Sequence, residues 1–138
     1  LFAAPVLEYS DRQNDFVMDT IYRAAADITQ HHPDHHIILD GRTFVTDAQR
    51  DVAIAAAEAA GAQVCIIEVL ASAESIQRRL DHAKQTGDHP ANDRDMTLYR
   101  RVLANVQPIR QPHLTLDTDQ LSLDECVQQA AAYIRSAD

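Results

Sequence analysis

The sequence predicts an α/β fold: a parallel sheet in a three-layer arrangement, with helices on its faces. Three apolar runs of strand length, around His36–Leu39, Val64–Val69 and His113–Asp117, are each followed by a short loop and an amphipathic stretch of helical length. That alternation specifies β-α-β crossovers, which require parallel strands. The first run, His36-Ile37-Ile38-Leu39, ends abruptly in Asp40-Gly41-Arg42, so a carboxylate and a cation fall at the carboxyl end of a predicted strand. Ligands of open α/β sheets sit at that end.

The elements follow in order. A first helix starts at Ser10, whose hydroxyl is placed to satisfy an orphan amide with Gln13 reaching back, and its apolar stripe is Val17, Ile21, Ala24 and Ile28. The strand ending at Asp40 comes next. A second helix opens with Thr46 and Gln49, turns Val52, Ala56 and Ala59 to one side, and stops at Gly61, a residue suited to a left-handed cap. After the Val64–Val69 strand, Ser72 to Thr86 reads as a helix with Ile76, Leu80 and Ala83 inward. The turn-rich run Gly87 to Asp93 separates it from a further helix, Arg94 to Val106. The last strand, His113–Asp117, leads into a helix opened by Ser122 and Glu125, with Val127, Ala130 and Ile134 on one face.

Composition narrows the function classes. A chain of 138 residues without a long linker fits one domain spanning residues 1–138, and a domain of that size buries roughly two-thirds of its unfolded surface. The formal net charge of −9 argues against a nucleic-acid partner, because phosphate-backbone binding depends on basic patches. Cys65 and Cys126 lie in apolar elements without C-x-x-C spacing, so reduced, buried thiols are expected. The apolar opening Leu1 to Leu7 is too short to span a membrane and has no basic flank, which makes the cytoplasm the expected compartment. The run His31-His32-Pro33-Asp34-His35-His36 has no recognised metal-ligand spacing and reads as a solvated connection that complements a helix C-terminus.

Two groups of residues carry chemistry. Asp40 suits the removal of a proton from an acceptor hydroxyl or the holding of a magnesium-bound water, with a plain loop hydrogen bond as the structural alternative. Arg42 and Arg50 are placed to orient an anionic acceptor, Arg50 having the alternative of pairing with acids on its own helix; Thr43 is a weaker candidate, and Phe44 is expected to pack. The second group is a lid-like region, 78–101. Arg78, Arg79, Lys84, Arg94, Arg100 and Arg101 supply half of the 12 basic residues of an otherwise acidic chain. Guanidinium groups bind phosphate oxygens in bidentate geometry, so such a concentration can clamp a polyphosphate. The alternative is solvated pairing with Asp81, Asp88, Asp93 and Asp95.

The order strand, Asp-Gly-Arg-Thr-Phe, helix, strand, helix, basic lid, and above all the C-terminal stretch LTLDTDQLSLDECVQQAAAYI, resembles the downstream portion of adenylylsulfate-kinase-like and related AAA-type ATP-binding P-loop small-molecule kinases. The resemblance covers nearly the whole chain and implies transfer of a phosphoryl group from ATP, with Mg²⁺, to a hydroxyl of a small molecule. It also implies that Asp117 and Thr118 lie beside the nucleotide base, with Arg78, Arg79, Lys84 and Arg94 toward its phosphates. The phosphate-loop signature G-x-x-x-x-G-K-[ST] occurs nowhere, and none of the three glycines, Gly41, Gly61 and Gly87, is followed by Lys. The expectation is a kinase-like domain truncated at its N-terminal side, lacking the first strand and phosphate loop, and inactive as it stands. The competing expectations are a noncatalytic α/β interaction module or degenerate kinase domain, able to form homo-oligomers through the uncovered sheet, and a histidine-rich metal-binding module.

Overall fold

A computed structural model describes residues 10–40, 43–86 and 95–137. Among them are five helices and two strands: α1 (Asp11–His31), α2 (Asp47–Ala59), β1 (Ile66–Leu70), α3 (Ala73–Thr86), α4 (Met96–Leu103), β2 (His113–Asp117) and α5 (Leu123–Ala137). The chain falls into two compact units. Described residues of the first are 10–40, 43 and 48–64, and those of the second are 44–47, 65–86 and 95–137.

In the first unit, α1 begins where the hydroxyl of Ser10 accepts the amide of Gln13 at 3.2 Å. Its buried residues are Gln13 and Met18, while Ala24 and Ile28 are exposed, so the predicted apolar stripe is covered only over its N-terminal half. Helix α2 ends in two hydrogen bonds that satisfy its last carbonyls: the Gly61 amide donates to Glu58 O at 2.9 Å and the Ala62 amide to Ala57 O at 3.0 Å. Gly61 has φ +77, a left-handed conformation that a side chain would disfavour. The expected inward side of α2 differs from the one found. Val52 is 57 % exposed and Ala59 is exposed, whereas Arg50 is 5 % exposed and the more covered side runs Arg50–Ala53–Ile54–Ala57. Val52, Ile54 and the alanines spread the apolar residues over more than half of the helix circumference, so spacing leaves the covered side open and the surroundings decide it.

Residues 35–40 form no strand, and Ile38 is 82 % exposed. An apolar run specifies a tendency to extended backbone, but a strand exists only where another segment accepts and donates its ladder hydrogen bonds. None of the described residues does so here.

The second unit holds the sheet. β1 and β2 pair in parallel with Ile67 opposite Leu114 and Val69 opposite Leu116. Alternation puts Ile67, Val69, Leu114 and Leu116 on one face and Ile66, Glu68, Leu70, His113, Thr115 and Asp117 on the other. On the second face, Glu68 lies 3.6 Å from His113 and accepts the Thr115 hydroxyl at 3.4 Å, a polar cross-strand cluster. The crossover from β1 to β2 runs through α3 and α4. Helix α4 starts at Asp95, whose carboxylate accepts the amides of Thr97 and Leu98, each at 2.8 Å; the Leu98 bond foremost holds the Asp95 pKa below its ordinary value. Its C-terminal turn carries Arg100 and Arg101, favourable at the negative end of the helix dipole. Helix α5 opens with a reciprocal cap: the Ser122 amide donates to the Glu125 carboxylate at 2.8 Å and the Glu125 amide to the Ser122 hydroxyl at 3.3 Å. Ala130, Tyr133 and Ile134 of α5 are half-buried, and the Tyr133 hydroxyl reaches Pro112 O at 3.4 Å, tying α5 to the start of β2; Val127 is exposed. Among the described residues no helix is long and apolar enough to cross a membrane.

Candidate functional site

The carboxyl ends of β1 and β2 meet the start of α3, and there the second unit forms an open cleft of about 600 Å³. It is lined by Ser72, Glu74, Ser75, Arg78, Arg79, His82, Thr118 and Asp119. Ser75, Arg79 and His82 recur at helical spacing and so share one side of α3. Ser72 and Ser75 come to the cleft because Ser72 caps the helix, its hydroxyl accepting the Ser75 amide at 3.2 Å.

The turn after β2 is built from its own polar groups. The Asp117 carboxylate accepts the Asp119 amide at 2.9 Å, and Asp117 O accepts the amides of Gln120 and Leu121. Thr118 closes on β1: its amide and its hydroxyl both donate to Leu70 O, each at 2.9 Å. The Thr118 hydroxyl in turn accepts Arg79 Nη2 at 3.0 Å, and Thr118 O lies 3.4 Å from the same nitrogen. Asp119 reaches across to α3, accepting the Ser72 amide at 2.7 Å. Arg78 Nη2 donates to the Ser75 hydroxyl at 2.7 Å. Neither guanidinium is in an ion pair with a described carboxylate, although the charge of Arg79 helps to favour the ionised form of Asp119.

The Ser72 hydroxyl first, then the Ser75 hydroxyl and the Ser72 amide, lower the Asp119 pKa from 3.8 to about 2. A depressed carboxylate pKa means that the folded state favours the ionised form. Its stabilising contribution is complete above 3.8 and disappears as pH falls toward about 2. Asp119→Asn is therefore expected to melt below the wild-type chain at neutral pH, with the difference closing between pH 3.8 and about 2. Thermal melts of both chains across that window check this. A difference that stays constant would mean that Asp119 does not hold α3 through its charge.

The residues expected from sequence are distributed unevenly. Arg78, Arg79 and Thr118 line the cleft, and Asp117, the last residue of β2, precedes Thr118 with its carboxylate engaged in the turn. Lys84 lies in the last turn of α3, where it complements the helix dipole, and is exposed. Asp40 and Thr43 are exposed members of the first unit, and Arg50, of the same unit, is buried on α2. Arg42 and Arg94 lie outside the described residues. Beyond Asp40, residues 44–47 are anchored in the second unit: the Gln107 amide donates to Val45 O at 2.8 Å, the Asp47 amide to the Gln107 side chain at 2.6 Å, and Arg110 lies 3.6 Å from Asp47. Phe44, expected only to pack, has φ +44, a conformation costly for an aromatic residue, on the order of 1–3 kcal/mol.

Sequence reasoning passed over Ser72, Glu74, Ser75, His82 and Asp119. The signal for Asp119 was its position two residues beyond a parallel strand, and for His82 its helical spacing from Arg78 and Arg79. Among the described residues no group of three or more His, Cys, Asp or Glu is placed to hold a metal ion. Guanidinium and hydroxyl groups in the cleft match phosphate oxygens; of its two carboxylates, Asp119 is engaged by the Ser72 amide and Glu74 is exposed in the first turn of α3.

No family model, curated protein or solved structure matches this chain.

Proposed function

We propose that these 138 residues carry the acceptor and lid parts of an ATP-dependent phosphotransferase acting on a hydroxyl of a small molecule, within a three-layer parallel α/β fold. The observation that carries the reading is the joining of Arg79 to Thr118 at the carboxyl ends of two parallel strands. It brings one of the clustered basic residues to the Asp-Thr stretch, with Arg78 lining the same cleft, in the location where open α/β sheets bind ligands. In this reading Arg78 and Arg79 face the phosphates, Asp40 serves the acceptor hydroxyl, and Arg42, Thr43 and Arg50 orient the acceptor. Mg²⁺, when bound with ATP, would neutralise charge on the transferred group. Asp40, an exposed carboxylate, would hold a magnesium-bound water or take the proton of the acceptor hydroxyl. The free thiols of Cys65 and Cys126 favour a reducing compartment, the cytoplasm.

The sequence contains no phosphate loop, the element that supplies most phosphate contacts and the lysine for the transferred group, so catalysis needs one from another segment. The 138-residue chain is therefore expected to give no saturable heat with micromolar Mg-ATP in calorimetry. A saturable, magnesium-dependent signal would show that the cleft suffices without a phosphate loop. The reading frame upstream of Leu1 supplies the second arm of the test. A phosphate-loop sequence there supports the kinase, and a native start or an unrelated domain favours a noncatalytic module.

A further inference from the structure

We propose that Thr118 is a positioning residue, which sets the Arg79 guanidinium toward an anionic, phosphate-bearing ligand rather than touching the nucleotide itself. The inference rests on the phosphate reading of the cleft and changes the role of one residue within it. A hydroxyl has one proton to donate and two lone pairs. In Thr118 the proton goes to Leu70 O at 2.9 Å, which fixes the direction of the lone pairs, and one of these accepts Arg79 Nη2 at 3.0 Å. Leu70 is the last residue of β1 and Thr118 follows the last residue of β2, so the hydroxyl is anchored to both strands at once. Arg79 sits on α3, whose first turn is tied to the same turn by Asp119 and the Ser72 amide at 2.7 Å.

A long side chain on an exposed helix surface samples many rotamers, and ordering it on binding opposes affinity. Thr118 removes part of that cost. It engages only one of the guanidinium nitrogens, and the other N–H groups of the fork stay available for phosphate oxygens. Arg78 is held in the same way, by Ser75 at 2.7 Å, but from its own helix, so it follows α3 and is not referenced to the sheet. The sheet-referenced arginine is Arg79.

The test uses the whole 138-residue chain and tripolyphosphate at millimolar concentration, followed by NMR at the backbone and side chains of Arg78 and Arg79. Thr118→Val keeps the size and removes the hydroxyl, and is expected to weaken tripolyphosphate by roughly three- to tenfold, the range of one net hydrogen bond. Thr118→Ser is expected to bind as the wild type does. In an Arg79→Ala background, Thr118→Val is expected to have no further effect, because the hydroxyl acts through that arginine. Equal losses in both backgrounds, or no loss in either, overturn the positioning role while leaving the phosphate reading in place. Absence of any shift at Arg78 and Arg79 in the wild-type chain overturns both. A measurement free of variants covers the case in which Thr118→Val does not fold: nuclear Overhauser contacts between the Arg79 guanidinium and Thr118 are expected to persist at saturating tripolyphosphate. Their loss means that Arg79 leaves Thr118 in order to bind, which overturns the inference.

Discussion

Leu116→Ala is expected to lower the unfolding free energy by about 2–4 kcal/mol, the largest stability effect of any single truncation in the second unit. Leu116 is 3 % exposed, and with Met18 it makes up the buried apolar residues among those described. Truncating it removes methyl groups from the face shared with Ile67, Val69 and Leu114 and leaves a cavity in β2. Few other buried apolar groups are there to absorb the loss. Val69→Ala is the control, since Val69 stands opposite Leu116 in the ladder yet is 62 % exposed. That change is expected to cost under about 1 kcal/mol, mostly strand propensity. Urea denaturation followed by circular dichroism measures both. Equal costs would mean that Leu116 is not packed as the structure has it. The β2 register, and with it the placement of Thr118 beside Leu70, would then need revision.

The largest functional effect is expected from Asp40→Asn, measured in a form of the protein that includes a phosphate loop. Asn keeps the size and some hydrogen bonding of Asp but cannot take a proton or carry the charge that magnesium chemistry needs. Removing a general base of this kind lowers turnover by roughly 10²–10⁴-fold. Stability should hardly move, because Asp40 is exposed and surface changes are usually worth no more than about 0.5 kcal/mol. The two readouts separate the two roles of the carboxylate. Full turnover together with a melting temperature lowered by several degrees would make Asp40 a structural acceptor and remove the Asp-Gly-Arg-Thr-Phe segment from the catalytic assignment.

Local chemistry was legible where one residue type settles the matter. Ser10 and Ser122 begin helices because a hydroxyl satisfies amides that the helix itself leaves unpaired. Gly61 ends one because it tolerates positive φ. The strands near Val64–Val69 and His113–Asp117 appear within two residues of their apolar runs. The His36–Leu39 run is equally apolar and carries no ladder, which shows how far composition reaches. Apolarity marks a segment as suited to burial between neighbours, but it does not supply the neighbours. The same limit applied to α2, where a broad apolar arc left open which side, and with it Arg50, would be covered.

The site divides along the same line. Charge singled out Arg78 and Arg79 as part of a basic patch in an acidic chain, and only the family resemblance of the Asp-Thr stretch pointed to Thr118. That these three meet, and that Asp119 rather than Asp117 reaches α3, depends on groups some 40 residues apart in sequence being brought within hydrogen-bonding distance. The sequence by itself determined what is encoded within one or two helical turns or along one strand: caps, breaks, strand propensity and the accumulation of cations. Only the tertiary structure decided which face of each helix is covered, which strand has a partner and which carboxylate clasps α3. Those outcomes turn on long-range pairing, where each backbone or side-chain group is satisfied by a residue that local sequence does not name.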